Sequence, residues 1–258
     1  VVSDVLETGS FQTIGMTWPD DQQAGSLEPQ VRTRSTDGTW DAWRDLPVAD
    51  DAPDAGTADA ARAVRGGTDA VWVGDADAVQ VSFAAGSDAP EDLRLALVDV
   101  PDVPTTGSDA SRMATPSVAS TSTAGTTADA VVQVVPVSAL TTTAVVTAAA
   151  VTTAAPATAP RVISRAEWGA RSQACSPDVA STLVGVVVHH TAGPNSYSTV
   201  AQAMAQIRGD QAYHIDGRGW CDIGYNFVVD KWGNVYEGRA NSLTQPVIGV
   251  HAGGFNTS

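Results

Sequence analysis

One stretch of this chain has almost none of the side chains that build a hydrophobic core. Residues 103–160 consist mainly of Ala, Thr, Ser, Val and Pro, and no aromatic residue occurs between Phe83 and Trp168. A segment with so little bulky apolar surface cannot offset the conformational entropy that folding removes. We therefore predict a multidomain protein with a first domain at residues 1–102, a low-complexity linker at residues 103–160 and a second domain at residues 161–258.

Negative charge is concentrated ahead of the second domain. The 258 residues carry 14 Lys and Arg against 29 Asp and Glu, a net charge of −15. Residues 1–160 have 7 basic and 22 acidic side chains, whereas residues 161–258 have 7 of each. Binding to nucleic acid or to an anionic membrane surface requires clustered basic residues, so we predict neither as a partner.

The longest uncharged run, Ala130–Pro160, does not predict a membrane span. It is rich in Thr, has one Leu and contains Pro136 and Pro156, whereas a spanning helix is richer in Leu, Ile and Phe. Its Val-rich beginning, Ala130–Val137, is a candidate for a locally paired strand.

Residues 1–100 have the pattern of an all-β, sandwich-like domain, in which short apolar or alternating runs are separated by turn residues. The predicted strands lie at residues 11–18, 30–34, 40–46, 70–73, 79–83 and 93–97. Residues 49–61 are rich in Asp, Ala and Gly and predict a loop. Acidic oxygen ligands suit calcium, but no segment has a complete EF-hand spacing, so a solvated loop is favoured. Trp40 and Trp43 are compatible with a sugar-stacking platform or with core packing, and burial statistics favour the core.

Residues 161–258 predict an α/β arrangement. The continuous β-branched run Leu183–Val188 is typical of a strand that is buried on both faces. Thr199 can cap a helix whose apolar residues recur at positions 200, 203, 204 and 207. Tyr225–Asp230 and Asn234–Glu237 predict a hairpin, and a further strand is predicted around Val247–His251.

Residues with catalytic potential accompany these elements. His189 and His190 follow the predicted buried strand, and because neighbours on a strand point to opposite faces, only one of them can face a given site. Taken alone, such a pair is more often structural than catalytic. Further candidates are His214, the stretch Arg218–Tyr225 and His251. The chain has neither the H-E-x-x-H motif of many zinc hydrolases nor the G-x-S-x-G motif of serine hydrolases.

Five ordered blocks of the second domain together resemble the peptidoglycan recognition protein family, which includes zinc amidases. The blocks are Ile-Ser-Arg-Ala-Glu-Trp-Gly-Ala at 163–170, Val-Val-Val-His-His-Thr-Ala-Gly at 186–193, Gly-Trp-Cys-Asp-Ile-Gly-Tyr-Asn-Phe at 219–227, Val-Tyr-Glu-Gly-Arg at 235–239 and Ile-Gly-Val-His-Ala-Gly-Gly-Phe-Asn at 248–256. The resemblance implies a mixed sheet with helices. It also implies a zinc-dependent N-acetylmuramoyl-L-alanine amidase, which cleaves the amide between N-acetylmuramic acid and L-alanine in bacterial peptidoglycan.

The resemblance also assigns roles to single residues. It implies that His189 is a zinc ligand, that His190 is its inward-facing structural neighbour and that Tyr225 is the catalytic tyrosine. The implied substrate-binding residues, which we call the groove residues, are His214, Arg218, Gly219, Trp220, Arg239, His251 and Asn256.

The family pattern has two further zinc ligands, a His and a Cys, which would follow Ser258. We therefore expect the second domain to be incomplete in this chain and the chain by itself to be inactive. The alternative is a peptidoglycan-binding module without catalysis. Residues downstream of Ser258 would distinguish the two.

The resemblance further implies a disulfide between Cys175 and Cys221, the two cysteines of the chain. An even cysteine count fits a secreted, cell-wall protein, and two buried free thiols are the alternative. In the family, Gly-Trp before the Cys-Asp-Ile-Gly-Tyr block accompanies meso-diaminopimelate in the stem peptide. Gly219 and Trp220 stand there, and Arg239 is available to pair with the extra carboxylate. The alternative is that Trp220 packs in the core and Arg239 is a surface charge.

Overall fold

The computed structural model describes residues 1–21, 27–84, 90–102, 131–136 and 160–257. In chain order, its elements are β1 (Leu6–Pro19), β2 (Gln30–Ser35), β3 (Arg44–Asp45), α1 (Ala58–Arg62), β4 (Arg65–Gly67), β5 (Val71–Ser82), β6 (Arg94–Asp99), β7 (Val131–Pro136), β8 (Val162–Ile163), α2 (Arg165–Trp168), α3 (Val200–Ala212), a π-helical turn (Tyr213–Gly217), β9 (Phe227–Val229) and β10 (Val235–Glu237). The rest of the predicted linker lies outside the described residues.

The first seven strands form one antiparallel sheet in the order β3-β2-β5-β1-β6-β7, and β4 pairs with the end of β1. The strands predicted at 11–18, 30–34 and 93–97 are confirmed as parts of β1, β2 and β6. The two strands predicted at 70–73 and 79–83 are instead one continuous strand, β5, because β5 bends through irregular pairing with β1 rather than turning. Of the strand predicted at 40–46, only β3 forms.

The candidate strand at Ala130–Val137 is confirmed as β7. It pairs antiparallel with β6 from Val131 opposite Asp99 to Pro136 opposite Arg94. A β-branched run next to an open sheet edge gains a full ladder of backbone hydrogen bonds there. Six residues of the predicted linker therefore belong to the sheet.

The central strand β1 is buried on both faces. Ile14, Met16 and Trp18 point into the core of the sheet, where they pack with residues such as Leu95 and Leu97 of β6. The alternate residues of β6, Ala96 and Val98, lie on the other face and pack against the π-helical turn. The sheet thus has its own core on one side and the second domain on the other.

Tyr213 of the π-helical turn is the centre of that second contact. Its ring is fully buried, and its hydroxyl donates to the carbonyls of Met16 at 3.1 Å and Thr68 at 2.8 Å. Glycine surrounds the ring: a Cβ at Gly67 would lie 2.7 Å from the Tyr213 hydroxyl, and one at Gly217 would lie 2.9 Å from ring carbon Cδ2. A Cβ at Gly15 would collide with the ring itself.

The second domain begins with α2, which a reciprocal capping box of Ser164 and Glu167 initiates. The predicted helix is confirmed as α3, whose N-cap Thr199 accepts from the Gln202 amide. Met204 and Ile207 of α3 pack on Trp168, Ile163, Ile223 and Tyr236. The predicted hairpin is confirmed as β9 and β10, and β8 joins it in parallel to form a three-stranded sheet.

Two predicted strands of this domain are wrong. Leu183–Val188 is irregular and exposed, with Val188 at 90% of its full accessibility, and around Val247–His251 there is a single bridge from Val247 to Val179. A strand buried on both faces needs paired neighbours, and no strand in the described ranges pairs with Leu183–Val188. Across the described residues, no helix has the length and apolarity needed to cross a membrane.

The predicted loop at 49–61 is also different from expectation. Its end forms α1, and Asp51, Asp54 and Asp59 are buried rather than solvated. Neither tryptophan of the 40–46 run is in the buried core. Trp40 and Trp43 instead flank the Arg32 guanidinium, at 5.0 and 5.1 Å from their ring centres.

Candidate functional site

Five aromatic rings from separate parts of the second domain come together. His189 and His251 stack with their ring centres 3.7 Å apart and their planes 3° from parallel. Tyr225 lies 5.4 Å from His189 and 5.4 Å from His214, and His214 stacks on Trp220 at 4.6 Å. The structure therefore brings together the predicted zinc ligand, the predicted catalytic tyrosine and three of the groove residues.

Backbone contacts explain how this cluster is assembled. The π-helical turn extends α3 and carries His214 under the segment that leads to Tyr225. The Gly224 amide donates to His214 Nδ1 at 3.2 Å, and the Gly224 carbonyl accepts from the Val250 amide at 2.8 Å. The second bond joins the residue before Tyr225 to the residue before His251. Because His214 Nδ1 accepts a hydrogen bond, we assign the imidazole proton to Nε2.

Burial sets the protonation of the two central groups. It lowers the pKa of His214 well below the ordinary value of 6.5, and the nearby Arg218 and Arg239 guanidinium groups lower it further. Burial also raises the pKa of Tyr225 well above the ordinary value of 10.0, and the Asp51 carboxylate adds to that shift. At neutral pH the cluster therefore offers a neutral imidazole and a neutral phenol, each able to donate a hydrogen bond.

His189 and His190 are both exposed. The expectation that His190 is an inward-facing structural residue is wrong, because the run before it is not packed as a strand. The His189 ring nitrogen Nδ1 lies 3.0 Å from the His190 carbonyl, and its ring faces His251 and Tyr225.

The implied zinc site needs more ligands than His189. Within the described ranges, no three His, Cys, Asp or Glu side chains are arranged to hold a metal ion. His189 is available, but both cysteines are joined to each other. A catalytic zinc ion needs three protein ligands and leaves a fourth position for water or substrate. The residues present therefore do not form a complete zinc site.

Cys175 and Cys221 form the predicted disulfide, with Cα atoms 4.7 Å apart. Cys221 is fully buried, and its carbonyl accepts from the Ala174 amide at 2.7 Å. The bond therefore ties the segment after α2 to the groove residues at 218–220.

The two groove arginines are held by the first domain. Arg218 lies over the Trp220 ring at 4.6 Å and donates to the carbonyls of Asp51 at 2.7 Å and Arg65 at 3.3 Å. Arg239 is fully buried and pairs with Asp59 at 2.5 Å. The alternative in which Arg239 is a surface charge is therefore wrong, whereas Trp220 is fully buried, as the core-packing alternative expects.

The two remaining groove residues also meet the first domain. Gly219, at a φ of +81°, accepts from Arg62 Nε at 3.2 Å, and a Cβ there would lie 2.9 Å from the Arg62 carbonyl. Asn256 donates from Nδ2 to Asp54 at 2.6 Å and to the Ala52 carbonyl at 3.0 Å.

Sequence reasoning missed Asp51, Asp54 and Asp59 as neighbours of the groove. Each stands in an Asp-rich run that has the composition of a solvated loop. No local pattern distinguishes a carboxylate that faces water from one that faces an arginine of another domain.

Two further carboxylates lie near the contact between the domains. Burial raises the pKa of Asp69 to about 7, and the Asp51 carboxylate adds to the shift while Arg218 opposes it. Burial raises the pKa of Asp210 to about 8, with a further contribution from Asp69. Both groups therefore keep a proton in the folded protein at a pH where the unfolded chain, with a pKa near 3.9, has lost it.

Stability should therefore fall as the pH rises from about 5 to 7. In this window the folded state binds more protons than the unfolded state, so each group reduces the free energy of unfolding by at most about 1.4 kcal/mol per pH unit. Replacing Asp210 by Asn should flatten the dependence. Urea unfolding between pH 5 and 8 measures it, and parallel curves for the wild type and Asp210→Asn would contradict the assignment.

Comparison with known proteins identifies both parts of the chain. Residues 1–106 match a family described as Rv3811 N-terminal galactose-binding domain-like, and residues 180–258 match the N-acetylmuramoyl-L-alanine amidase family. Peptidoglycan-recognition protein SC2 of Drosophila simulans is 47% identical over 96 residues, which cover 37% of this chain and 50% of the relative. Peptidoglycan recognition protein 1 of Bos taurus is 43% identical over 93 residues, covering 36% and 46%.

The solved structure of Drosophila PGRP-LB, wild type, is 34% identical over 35% of this chain and 51% of that chain, with a TM-score of 0.31. The chain spans about half the length of the curated relatives it matches. Its first part resembles a galactose-binding-like domain, and its second part resembles the N-acetylmuramoyl-L-alanine amidase family. The second part of the chain is similar to the peptidoglycan recognition protein and type 2 N-acetylmuramoyl-L-alanine amidase family.

Proposed function

We propose that the protein binds bacterial peptidoglycan and hydrolyses the amide between N-acetylmuramic acid and the L-alanine of the stem peptide. The observation that carries this proposal is the cluster of residues far apart in sequence, in which His189 and His214 both contact Tyr225 and His251 stacks on His189. The match of residues 180–258 to the amidase family supports the same reaction.

In this proposal Tyr225 acts on the carbonyl that is attacked. A neutral phenol can donate a hydrogen bond to the oxygen as it gains negative charge, and such a contact is stronger in the transition state than in the substrate. His214 supports Tyr225 from the side, with its own orientation fixed by the Gly224 amide. Zinc dependence, with His189 as one ligand, is part of the proposal, but no step is assigned to the metal because the described residues do not complete its site.

Replacing Tyr225 by Phe should reduce kcat at least about 100-fold, the usual cost of losing one oxyanion donor, and should leave KM nearly unchanged. The measurement uses the full-length protein and purified peptidoglycan. It follows the release of stem peptides whose first residue, L-alanine, has a free amino group. Tyr197→Phe is the matched control, because that hydroxyl accepts from the Lys231 amide in the β9–β10 turn and lies outside the cluster. Full turnover by Tyr225→Phe would remove the catalytic assignment.

The second candidate function is a peptidoglycan-binding module without catalysis, which the similarity to peptidoglycan-recognition proteins supports. The same assay separates the two. A non-catalytic module binds peptidoglycan but releases no peptide, in the wild type as well as in Tyr225→Phe.

The proposal extends to the stem peptide and to the compartment. Gly219, Trp220 and Arg239 favour a stem with meso-diaminopimelate, since a guanidinium pairs well with its additional carboxylate. The Cys175–Cys221 disulfide fits an oxidising environment and thus a secreted protein that acts at the cell wall.

A further inference from the structure

A short segment of the first domain lies across the groove residues. This docking segment, residues 51–62, includes α1 and three buried aspartates. Four of the seven groove residues form hydrogen bonds with it: Arg218, Gly219, Arg239 and Asn256. The surface proposed to bind peptidoglycan is therefore covered by another part of the same chain.

Asp59 makes the most deeply buried of these contacts. Its Oδ1 accepts from Arg239 Nη2 at 2.5 Å and from the Cys221 amide at 2.9 Å, and both side chains are at most 4% exposed. A guanidinium together with a backbone amide is the donor set that binds a carboxylate of a ligand. Asp59 thus occupies the position next to Arg239 in which the proposed function puts a carboxylate of the stem peptide.

Asp54 makes an equivalent contact at the other end of the segment. Its carboxylate accepts from the Gly254 amide at 2.8 Å, from Asn256 Nδ2 at 2.6 Å and from the Thr257 hydroxyl at 3.1 Å. Asn256 in turn accepts from the His251 amide at 2.8 Å, so this contact is one residue away from the aromatic cluster.

Among the described residues, the docking segment leaves three buried polar atoms of the groove residues without a hydrogen-bond partner. Arg239 Nε, Trp220 Nε1 and His251 Nδ1 are buried and have no hydrogen-bond partner among the described residues. A buried polar atom without a partner is unfavourable, so a ligand that offers more acceptors than Asp59 and Asp54 can bind these groove residues more favourably.

We propose that the docking segment is an intramolecular inhibitor, in which Asp59 and Asp54 mimic the carboxylates of a peptidoglycan stem and must leave before the stem binds. This proposal rests on the proposed function. The ligand class it defines is a peptide with at least two free carboxylates. The apparent affinity is the intrinsic affinity multiplied by the fraction of molecules in which the groove is open.

The test is titration calorimetry of a muramyl tripeptide containing meso-diaminopimelate against the protein. Asp59→Asn removes the charge that pairs with Arg239 and keeps an acceptor of the same shape, so this variant should bind about tenfold more tightly than the wild type, the equivalent of one charge-assisted hydrogen bond. Asp54→Asn, in a less buried contact, should also tighten binding. The matched control is Asp77→Asn, which removes one aspartate from an ion pair with Arg34 and should bind like the wild type.

Hydrogen exchange supplies the second readout. Adding the tripeptide should speed the exchange of amides in residues 51–62 if the segment leaves. Slower exchange there, or weaker binding by Asp59→Asn, would show that the segment belongs to the binding site. Either result would overturn the proposal that the segment is an inhibitor. Equal affinity of the wild type and both variants would overturn the inhibitor and leave the proposed function standing, whereas no binding by any variant would overturn the proposed function.

Discussion

Replacing Arg239 by methionine is expected to lower the free energy of unfolding by about 3 kcal/mol, because one partner of a fully buried ion pair is removed. The Asp59 carboxylate would stay in a buried position, where the Cys221 amide still donates to its Oδ1 at 2.9 Å. Urea denaturation of the wild type and the variant measures the loss.

Two variants show whether the loss comes from the pair. Arg94→Met removes an arginine from an ion pair with Asp92 in which both side chains are more than 40% exposed, and it should cost much less. Combining Asp59→Asn with Arg239→Met should recover part of the stability, since no buried charge remains. If Arg239→Met and Arg94→Met lowered the free energy of unfolding equally, burial would not explain the contribution of the Arg239–Asp59 pair.

Replacing Tyr213 by alanine should lower the free energy of unfolding by about 3–5 kcal/mol, the usual cost of removing a large buried aromatic side chain. The ring fills the contact between the sheet and the π-helical turn, where three glycines make room for it. The same denaturation experiment should show that the two domains no longer unfold together.

Tyr213→Phe separates the hydroxyl from the ring. The Met16 carbonyl also accepts from the Thr68 amide at 2.9 Å, so within the described ranges only the Thr68 carbonyl would lose its hydrogen-bond donor. The expected cost is about 1–2 kcal/mol. If Tyr213→Ala cost no more than Tyr213→Phe, the ring would not be the part that joins the domains.

Sequence patterns predicted the strands and the helix that have a regular spacing of apolar residues. Alternation located β1, β2 and β6, helical spacing after Thr199 located α3, and a β-branched run located β7 inside a segment that otherwise reads as a linker. The disulfide followed from the family resemblance and not from spacing.

The contact between the domains could not be predicted in this way. In β1, Thr13, Gly15 and Thr17 alternate with apolar residues, which is the pattern of a strand with one face in water. Those residues are buried, since Gly15 faces the Tyr213 ring, Thr13 lies against α3 and Thr17 accepts from Arg65. Small polar residues are equally suited to water and to a closely packed helix, so the pattern alone does not reveal which of the two they face. The error at Leu183–Val188 has the same origin. An apolar run indicates that its residues favour burial, but it does not indicate that a neighbouring element is present to cover them.

The glycines around Tyr213 have a consequence for how this protein can change over generations. Gly15 and Gly67 belong to one domain, whereas Gly217 and Tyr213 belong to the other. A larger residue at any of the three glycines is tolerated only after Tyr213 has been replaced by a smaller residue. Such a replacement leaves a cavity until one of the glycines is replaced by a larger residue. The four positions should therefore co-vary, although they belong to two domains. Exchanging one domain between related proteins should succeed only when the matching positions of the other domain are exchanged as well.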